Sequence, residues 1–322
     1  MNLQLEEKIF TGTFKQDILE GLHLTPKKLS SKYFYDKIGD RLFQSIMEMP
    51  EYYLTKCELD IFQNKTAELA QFLVHDTEPF DLIELGAGDA LKSSYLLDYL
   101  VKNNKDFTYM PIDISGHILE VLRDNLGQKI PELKIECLEG EYFEMLKKAT
   151  ALSSRKKVVL FLGSNIGNME MQEAQDFCTA LRNNLSEGDI VLMGFDLKKN
   201  PKIILDAYND KAGLTAAFNL NLLTRINREL GADFSLENFQ HYQNYNPETG
   251  ACRSYLISLC DQQVTVEGEA ISFKENEWID MEISQKFSED DIRDMTQSAG
   301  FNVIGEIKDA KNWFVDSVLQ VQ

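Results

Sequence analysis

Between Phe80 and Phe195 short apolar runs alternate with helix-length segments, and that rhythm restricts the chain to a small set of folds. Phe80–Leu85 (FDLIEL) reads as a strand that ends at glycines, with Leu91–Val101 as the helix after it. Phe107–Ile112 (FTYMPI), Leu133–Leu138, Lys157–Leu162 (KVVLFL) and Asp189–Phe195 (DIVLMGF) read as further strands, and His117–Asn125 and Met171–Asn183 as the intervening helices. The central runs are apolar at every position, not at every second one. A strand of that kind is buried on both faces, so the alternation predicts a mostly parallel sheet covered by helices on each side.

Outside that stretch the rhythm breaks. A helix through Leu42 and Ile46 ends at Pro50, and a second is expected from about Glu58 to Leu73. After Asp196 a long helix over Ala212–Leu230 precedes strands at Tyr255–Leu259 and Ile271–Phe273. Along Trp278–Ser284, Ile279, Met281 and Ile283 alternate with Asp280, Glu282 and Ser284, the pattern of a strand with one wet face. Ser288–Ala299 is expected as a last helix, and Asn302–Lys308 with Trp313–Leu319 as a terminal hairpin that returns to the first sheet. Two units follow: an α/β unit from 59–195 with 287–322, and a smaller α+β unit from 1–58 with 196–286.

Charge and composition exclude several partners. The net charge of −19 leaves no basic surface for displacing counterions from nucleic-acid phosphates or for docking on an anionic membrane. The apolar runs all fall short of the roughly 20 residues of a membrane span. MNLQLEEKIF lacks the basic-then-apolar pattern of a signal peptide. The five cysteines are scattered without a CxxC pair, and the four histidines (His23, His75, His117 and His241) show no ligand spacing. The expectation is a cytoplasmic protein with reduced thiols and no metal. Its oligomeric state is open, and a monomer is compatible with all of this.

The glycines of FDLIELGAGDALKSS lie where a strand turns into a helix. Gly86 and Gly88 let the backbone approach a ligand closely, and the helix start offers free N–H groups, although a turn that merely needs glycine would look alike. The dinucleotide pattern GxGxxG is incomplete because its third position is Leu91. Glu84 and Asp89 would repel a pyrophosphate, whereas an acid at the strand end suits a cationic sulfonium ligand with an ammonium group. Asp113, ending the next strand, is placed to accept hydrogen bonds from a ribose diol. These features favour S-adenosylmethionine over a nicotinamide.

On the other side of such a site, the KVVLFL strand runs into Gly163-Ser-Asn-Ile-Gly-Asn168, whose amides suit a small polar substrate or, equally, an ordinary turn. Glu282 and Ser284 share a strand face that reads as ligand-facing or simply solvated. Tyr33, Phe34, Tyr35, Tyr52 and Tyr53 read as core or as an aromatic cage for an ammonium.

Several longer motifs, KYFYDKIGDRLFQSIMEMPEYY, ELGAGDALKS, PIDIS, FLGSNIGN, DAYNDKAGLTAAFNLNLLTRINRELGADF and MEISQKF, resemble the bacterial histidine-specific Nα-methyltransferases of ergothioneine biosynthesis over nearly the whole chain. The resemblance implies a Rossmann-type class I methyltransferase domain that binds S-adenosylmethionine and a smaller α+β domain that binds the substrate. It implies that Gly86, Lys92 and Asp113 contact the donor, with Glu141 and Tyr142 near its adenine, where the family usually has Asp-Phe. It further implies that Asn168 and Tyr208 bind the substrate carboxylate, that Gly163 lines that site, and that Tyr52 holds the α-amine. Tyr35 and Phe43 would close over the substrate, and the hydroxyls of Tyr35 and Tyr52 would accept or relay the amine proton. Glu282 and Ser284 match the pair that hydrogen-bonds the imidazole. Ser254, in CRSYLIS, stands where the family has a methionine beside that ring. The activity implied is methylation of the histidine α-amine, three times over, to histidine betaine. Methylation of another amino acid or amine, and a non-catalytic sensor of donor or amino acid, are the alternatives.

Overall fold

A computed structural model describes residues 13–74 and 78–322; the opening MNLQLEEKIF and His75 lie outside the described residues. The chain divides into two compact units. One takes the described residues up to Tyr53 together with Lys199–Ser284, and the other Leu54–Lys198 with Gln285–Gln322.

The second unit is built on a seven-stranded sheet. From one edge its strands are Phe301–Lys308, Phe314–Val321, Ile190–Asp196, Lys156–Phe161, Phe80–Leu85, Phe107–Asp113 and Leu138–Glu139. The last five run parallel, and Phe314–Val321 is antiparallel to both of its neighbours. All six residues of Phe80–Leu85 and all seven of Ile190–Asp196 are buried, as a sheet covered on both faces requires. Ile83, Val159, Phe161, Val191 and Met193 form one core with Leu146, Phe177, Leu181 and Ile292 from the helices Tyr142–Leu152, Met171–Asn183 and Glu289–Ser298. Strand order reverses around Phe80–Leu85, which pairs with Phe107–Asp113 on one side and Lys156–Phe161 on the other. Ligands bind beyond the carboxyl ends of the strands at such a reversal, and here those ends are Gly86, Asp113 and Gly163.

Three expectations shift. The helix expected over 58–73 is two helices, Leu54–Asn64 and Thr66–Leu73, broken at Lys65, whose ammonium donates to the Lys308 carbonyl at 2.6 Å. Leu54–Asn64 belongs wholly to the sheet unit, moving the boundary from 58/59 to 53/54, because Leu54, Cys57, Glu58, Ile61 and Phe62 are all buried there. The strand expected at Leu133–Leu138 shrinks to a single bridge at Ile135 and the pair Leu138–Glu139, since an edge position offers a partner on one side only.

The other unit has a mixed four-stranded sheet in the order Lys27–Lys28, Trp278–Gln285, Ala251–Ser258, Phe239–Tyr245, with a separate hairpin of Gln262–Val266 and Glu269–Phe273. The helix Leu214–Leu230 lies on it and buries Phe218, Leu222, Leu223 and Ile226 against Leu256, Ile279 and Met281. Its first turn is capped by Asp210, which accepts from the Leu214 and Thr215 N–H groups at 2.8 Å. A further helix, Pro201–Tyr208, begins with proline after Asn200, whose side chain caps it.

Candidate functional site

In the sheet unit, the residues expected on the donor side gather at the strand ends. Gly86 leaves Phe80–Leu85 with φ +69°, and a methyl group there would stand 2.6 Å from the Tyr142 hydroxyl. Only glycine fits that position. The Asp113 carboxylate accepts from the Gly88 N–H at 3.2 Å and the Ser115 N–H at 3.0 Å, which ties the first turn to the second strand end. Glu141 is exposed and immediately precedes the helix Tyr142–Leu152. Burial, then the charges of Asp113 and Glu141, push the Tyr142 hydroxyl up to about 12, so it stays protonated and able to donate. A cradle kept open by glycine, beside an acid and a phenol, has the donor set that a ribose diol and an adenine require.

Glu84 is 4% exposed and accepts a hydrogen bond from the Tyr109 hydroxyl, so it faces the protein interior. Burial raises its carboxyl to about 7, against the hydrogen bonds from Tyr109 and Ser93 and the charge of Lys92. The Lys92 ammonium is paired with the carboxylate of Glu58, which is 1% exposed. Burial would lower Lys92, but the opposing charge and hydrogen bond of Glu58 outweigh it and its pKa is raised. Gly163, with φ +78°, donates its N–H to both Glu58 oxygens at 2.7 and 3.0 Å, and Asn168 lies exposed at the end of the one-turn helix Asn165–Asn168 that follows.

In the other unit a continuous aromatic run joins most of the residues expected on the acceptor side. Tyr35 packs edge-on against Phe43 at 5.5 Å between ring centroids, Phe43 against Tyr52 at 6.4 Å, and Tyr52 against Tyr208 at 6.2 Å. The Tyr208 hydroxyl then meets the Ser284 hydroxyl at 2.6 Å. Phe218, which lies within the DAYND–GADF motif but was assigned no role there, lies beside both Tyr35 and Phe43. Asp36 anchors the run. It caps the helix Lys37–Glu48 through the Ile38 and Gly39 N–H groups, and it binds Arg228 and Asn221 of the long helix. Burial alone would raise Asp36, but the Gly39 N–H and Arg228 hold it down at about 2.

The sheet resolves the remaining two positions. Arg253 reaches Asp280 at 3.1 Å, and Glu282 and Ser284 continue the alternation of Asp280 along their strand. Ser254 is 3% exposed and alternates with Leu256 on the helix-covered face, so Arg253 is the residue of that strand on the face of Asp280. Sequence reasoning missed Glu58. Its signal was a carboxylate within the apolar stripe Leu54, Cys57, Ile61 and Phe62. Among the described residues no group of three or more His, Cys, Asp or Glu is arranged to hold a metal ion, and no helix is long and apolar enough to cross a membrane.

The family model described as histidine-specific methyltransferase, SAM-dependent, matches residues 14–321. A histidine N-alpha-methyltransferase of Mycolicibacterium smegmatis is 33% identical over 308 residues, covering 94% of this chain and 91% of its own. Its counterpart in Mycobacterium tuberculosis is 33% identical over 292 residues, covering 90% and 89%. An L-tryptophan methyltransferase of Psilocybe serbica is 26% identical, covering 94% and 91%. The match from residue 14 to residue 321, on a sheet whose strand reversal carries the glycine cradle, makes this protein a member of the histidine-specific, S-adenosylmethionine-dependent methyltransferase family.

Proposed function

We propose that the protein methylates the α-amine of L-histidine, up to three times, giving histidine betaine. The observation that carries this reading is the run Tyr35–Phe43–Tyr52–Tyr208–Ser284, in which residues from three distant segments of the chain pack one against the next. When bound, S-adenosylmethionine supplies a methyl group that leaves its sulfonium sulfur as an amine lone pair takes it up. Gly86, Asp113, Glu141, Tyr142 and Lys92 hold the donor, with Gly86 giving its backbone room. Tyr208 and Asn168 bind the acceptor carboxylate, with Gly163 at the same turn, and Glu282 and Ser284 take the ring nitrogens. Fixing the acceptor at both ends leaves its amine one orientation, which converts binding into alignment. Tyr52 and Tyr35 carry hydroxyls for the amine proton, and the rings of Phe43 and Tyr52 exclude water from the nitrogen. The proposed setting is the cytoplasm, within a route that consumes histidine betaine.

A second reading keeps the chemistry and changes the acceptor to another aromatic amino acid. The tryptophan-methylating relative favours it. Incubating the protein with S-adenosylmethionine and each of the twenty amino acids, with mass spectrometry of the products, separates the two. Histidine gaining three methyl groups while the others stay inert supports the first; a methylated tryptophan or tyrosine with inert histidine replaces it by the second. The substitution Glu282→Ala should raise the histidine KM by about 10- to 100-fold, the effect of about 1.4–3 kcal/mol lost with a charged hydrogen bond, and leave donor binding intact. Equal loss of both would remove Glu282 from the imidazole.

A further inference from the structure

The sheet unit holds a knot of four ionisable groups, three of them almost fully buried. Glu58 (1% exposed) and Asp316 (0%) lie close enough to Lys92 to feel its charge, and Glu84 (4%) feels the charges of Lys92 and Glu58. Both Asp316 carboxyl oxygens lack any hydrogen-bond partner, so the lysine is engaged by Glu58 and not by Asp316. Burial, and then the charge of Glu58, hold the Asp316 carboxyl well above its ordinary range, and it stays a neutral acid.

The carboxylate of Glu58 does two things at once. One oxygen takes the Lys92 ammonium, just before the helix Ser93–Lys102 that opens from the Gly86 turn. Both oxygens take the Gly163 N–H, at 2.7 and 3.0 Å, in the turn that leads to Asn168. The space for it is reserved by Gly194 in the neighbouring strand, where a methyl group would stand 2.5 Å from a Glu58 oxygen. Gly163 itself has φ +78° and Ser164 φ +54°, so this turn has a left-handed backbone at two successive residues and needs an external anchor to keep one shape.

We propose that Glu58 is a positioning residue for methyl transfer, a single buried carboxylate that holds the donor-side lysine and the acceptor-side turn in fixed register. The proposal rests on the reading that the Gly86 and Gly163 turns serve donor and acceptor. It adds a residue that touches neither, and it makes the two turns energetically dependent on each other. Displacing a reacting group by about 1 Å costs on the order of a hundredfold in rate, so the anchor need fail only slightly to be felt.

The test compares Glu58→Gln, Glu58→Ala, Lys92→Met and the double variant Glu58→Gln with Lys92→Met in the full chain, with Asp316→Asn as the control for changing a buried acid. Donor affinity is read by calorimetry with S-adenosylhomocysteine alone, turnover by mass spectrometry with histidine, and folding by melting temperature. Glu58→Gln keeps an acceptor for the Gly163 N–H but loses the ion pair. It is expected to weaken donor binding about tenfold and lower kcat by about ten- to a hundredfold, with Glu58→Ala worse than Glu58→Gln. The double variant is expected to lose no more than the weaker of its two parents, because both act through one carboxylate. Asp316→Asn, isosteric and already neutral in effect, keeps donor affinity within about twofold. Losses that follow only the folded fraction, or that multiply in the double variant, overturn the proposal. A wild-type protein inert toward histidine overturns the acceptor reading alone. The calorimetry then decides for Glu58: a tenfold weaker donor in Glu58→Gln supports its positioning role, and an unchanged donor ends it.

Discussion

Replacing Gly86 by alanine tests the cofactor cradle with numbers the structure supplies. At φ +69° an alanine sits in the left-handed region, which costs about 1–2 kcal/mol against glycine. Its methyl group would also stand 2.6 Å from the Tyr142 hydroxyl, while the ring carbon behind that oxygen is at 3.4 Å, an ordinary contact. The hydroxyl must therefore retreat by the difference, from 2.6 to 3.4 Å. Tyr142 begins its helix and packs edge-on against Phe161 at 6.0 Å, so the ring cannot swing away without moving the cradle wall. Donor binding, measured by calorimetry with S-adenosylhomocysteine, should weaken about 10- to 100-fold in Gly86→Ala. The double variant Gly86→Ala with Tyr142→Phe removes the clashing oxygen and leaves only the backbone strain. It should recover most of the donor affinity while still melting a few degrees lower, at about 2–4 °C per kcal/mol for a unit of this size. A double variant that binds no better than Gly86→Ala would refute the steric argument, as would an undisturbed Gly86→Ala.

Two other outcomes follow from buried contacts. Tyr208→Phe removes a 2.6 Å hydroxyl pair with Ser284 in a residue that is 7% exposed, and loss of a buried hydrogen bond is worth about 1–3 kcal/mol. The histidine KM should rise about tenfold with donor affinity unchanged, read from steady-state kinetics with both substrates varied. Glu84 predicts a pH dependence: its folded carboxyl titrates at about 7 and its ordinary value is 4.5. The folded state binds the extra proton, so this group's contribution to stability is present below pH 4.5 and is lost as pH rises through 7. At about 1.4 kcal/mol per pH unit the full effect is on the order of 3 kcal/mol, and Glu84→Gln, which cannot ionise, should melt above the wild type at pH 8 with the gap closing toward pH 4.5. A gap that does not change with pH would show that Glu84 does not titrate there.

The parallel core was legible because its signal is local and redundant. Val158–Leu162 is apolar at every position and FDLIEL at four of six, and each ends at glycines that the backbone then uses with positive φ at Gly86 and Gly163. The helix Met171–Asn183 falls where it was expected, since an amphipathic pattern with capping residues at its start needs no tertiary help. The second unit was less legible. Phe239–Tyr245 (FQHYQNY) forms a strand with one fully buried residue, so it carries no apolar alternation to read. Pro201–Tyr208 was hidden because it is short and follows a strand without a loop-like stretch of its own.

Sequence by itself determined the order of strands and helices in the sheet unit, the glycine turns at the strand ends and the family, because these depend on local composition and on motifs a few residues long. Tertiary structure decided which side chains meet. Neither the pairing of Glu58 with Lys92 and Gly163, 34 and 105 residues away, nor that of Tyr208 with Ser284, 76 residues on, is visible along the chain. It also decided which candidates face inward: Glu84 turns to Tyr109, and Ser254 turns to the helix-covered face. Direction along a strand is fixed by register and by what covers each face, and no local pattern encodes either when neighbouring residues are all compatible with burial.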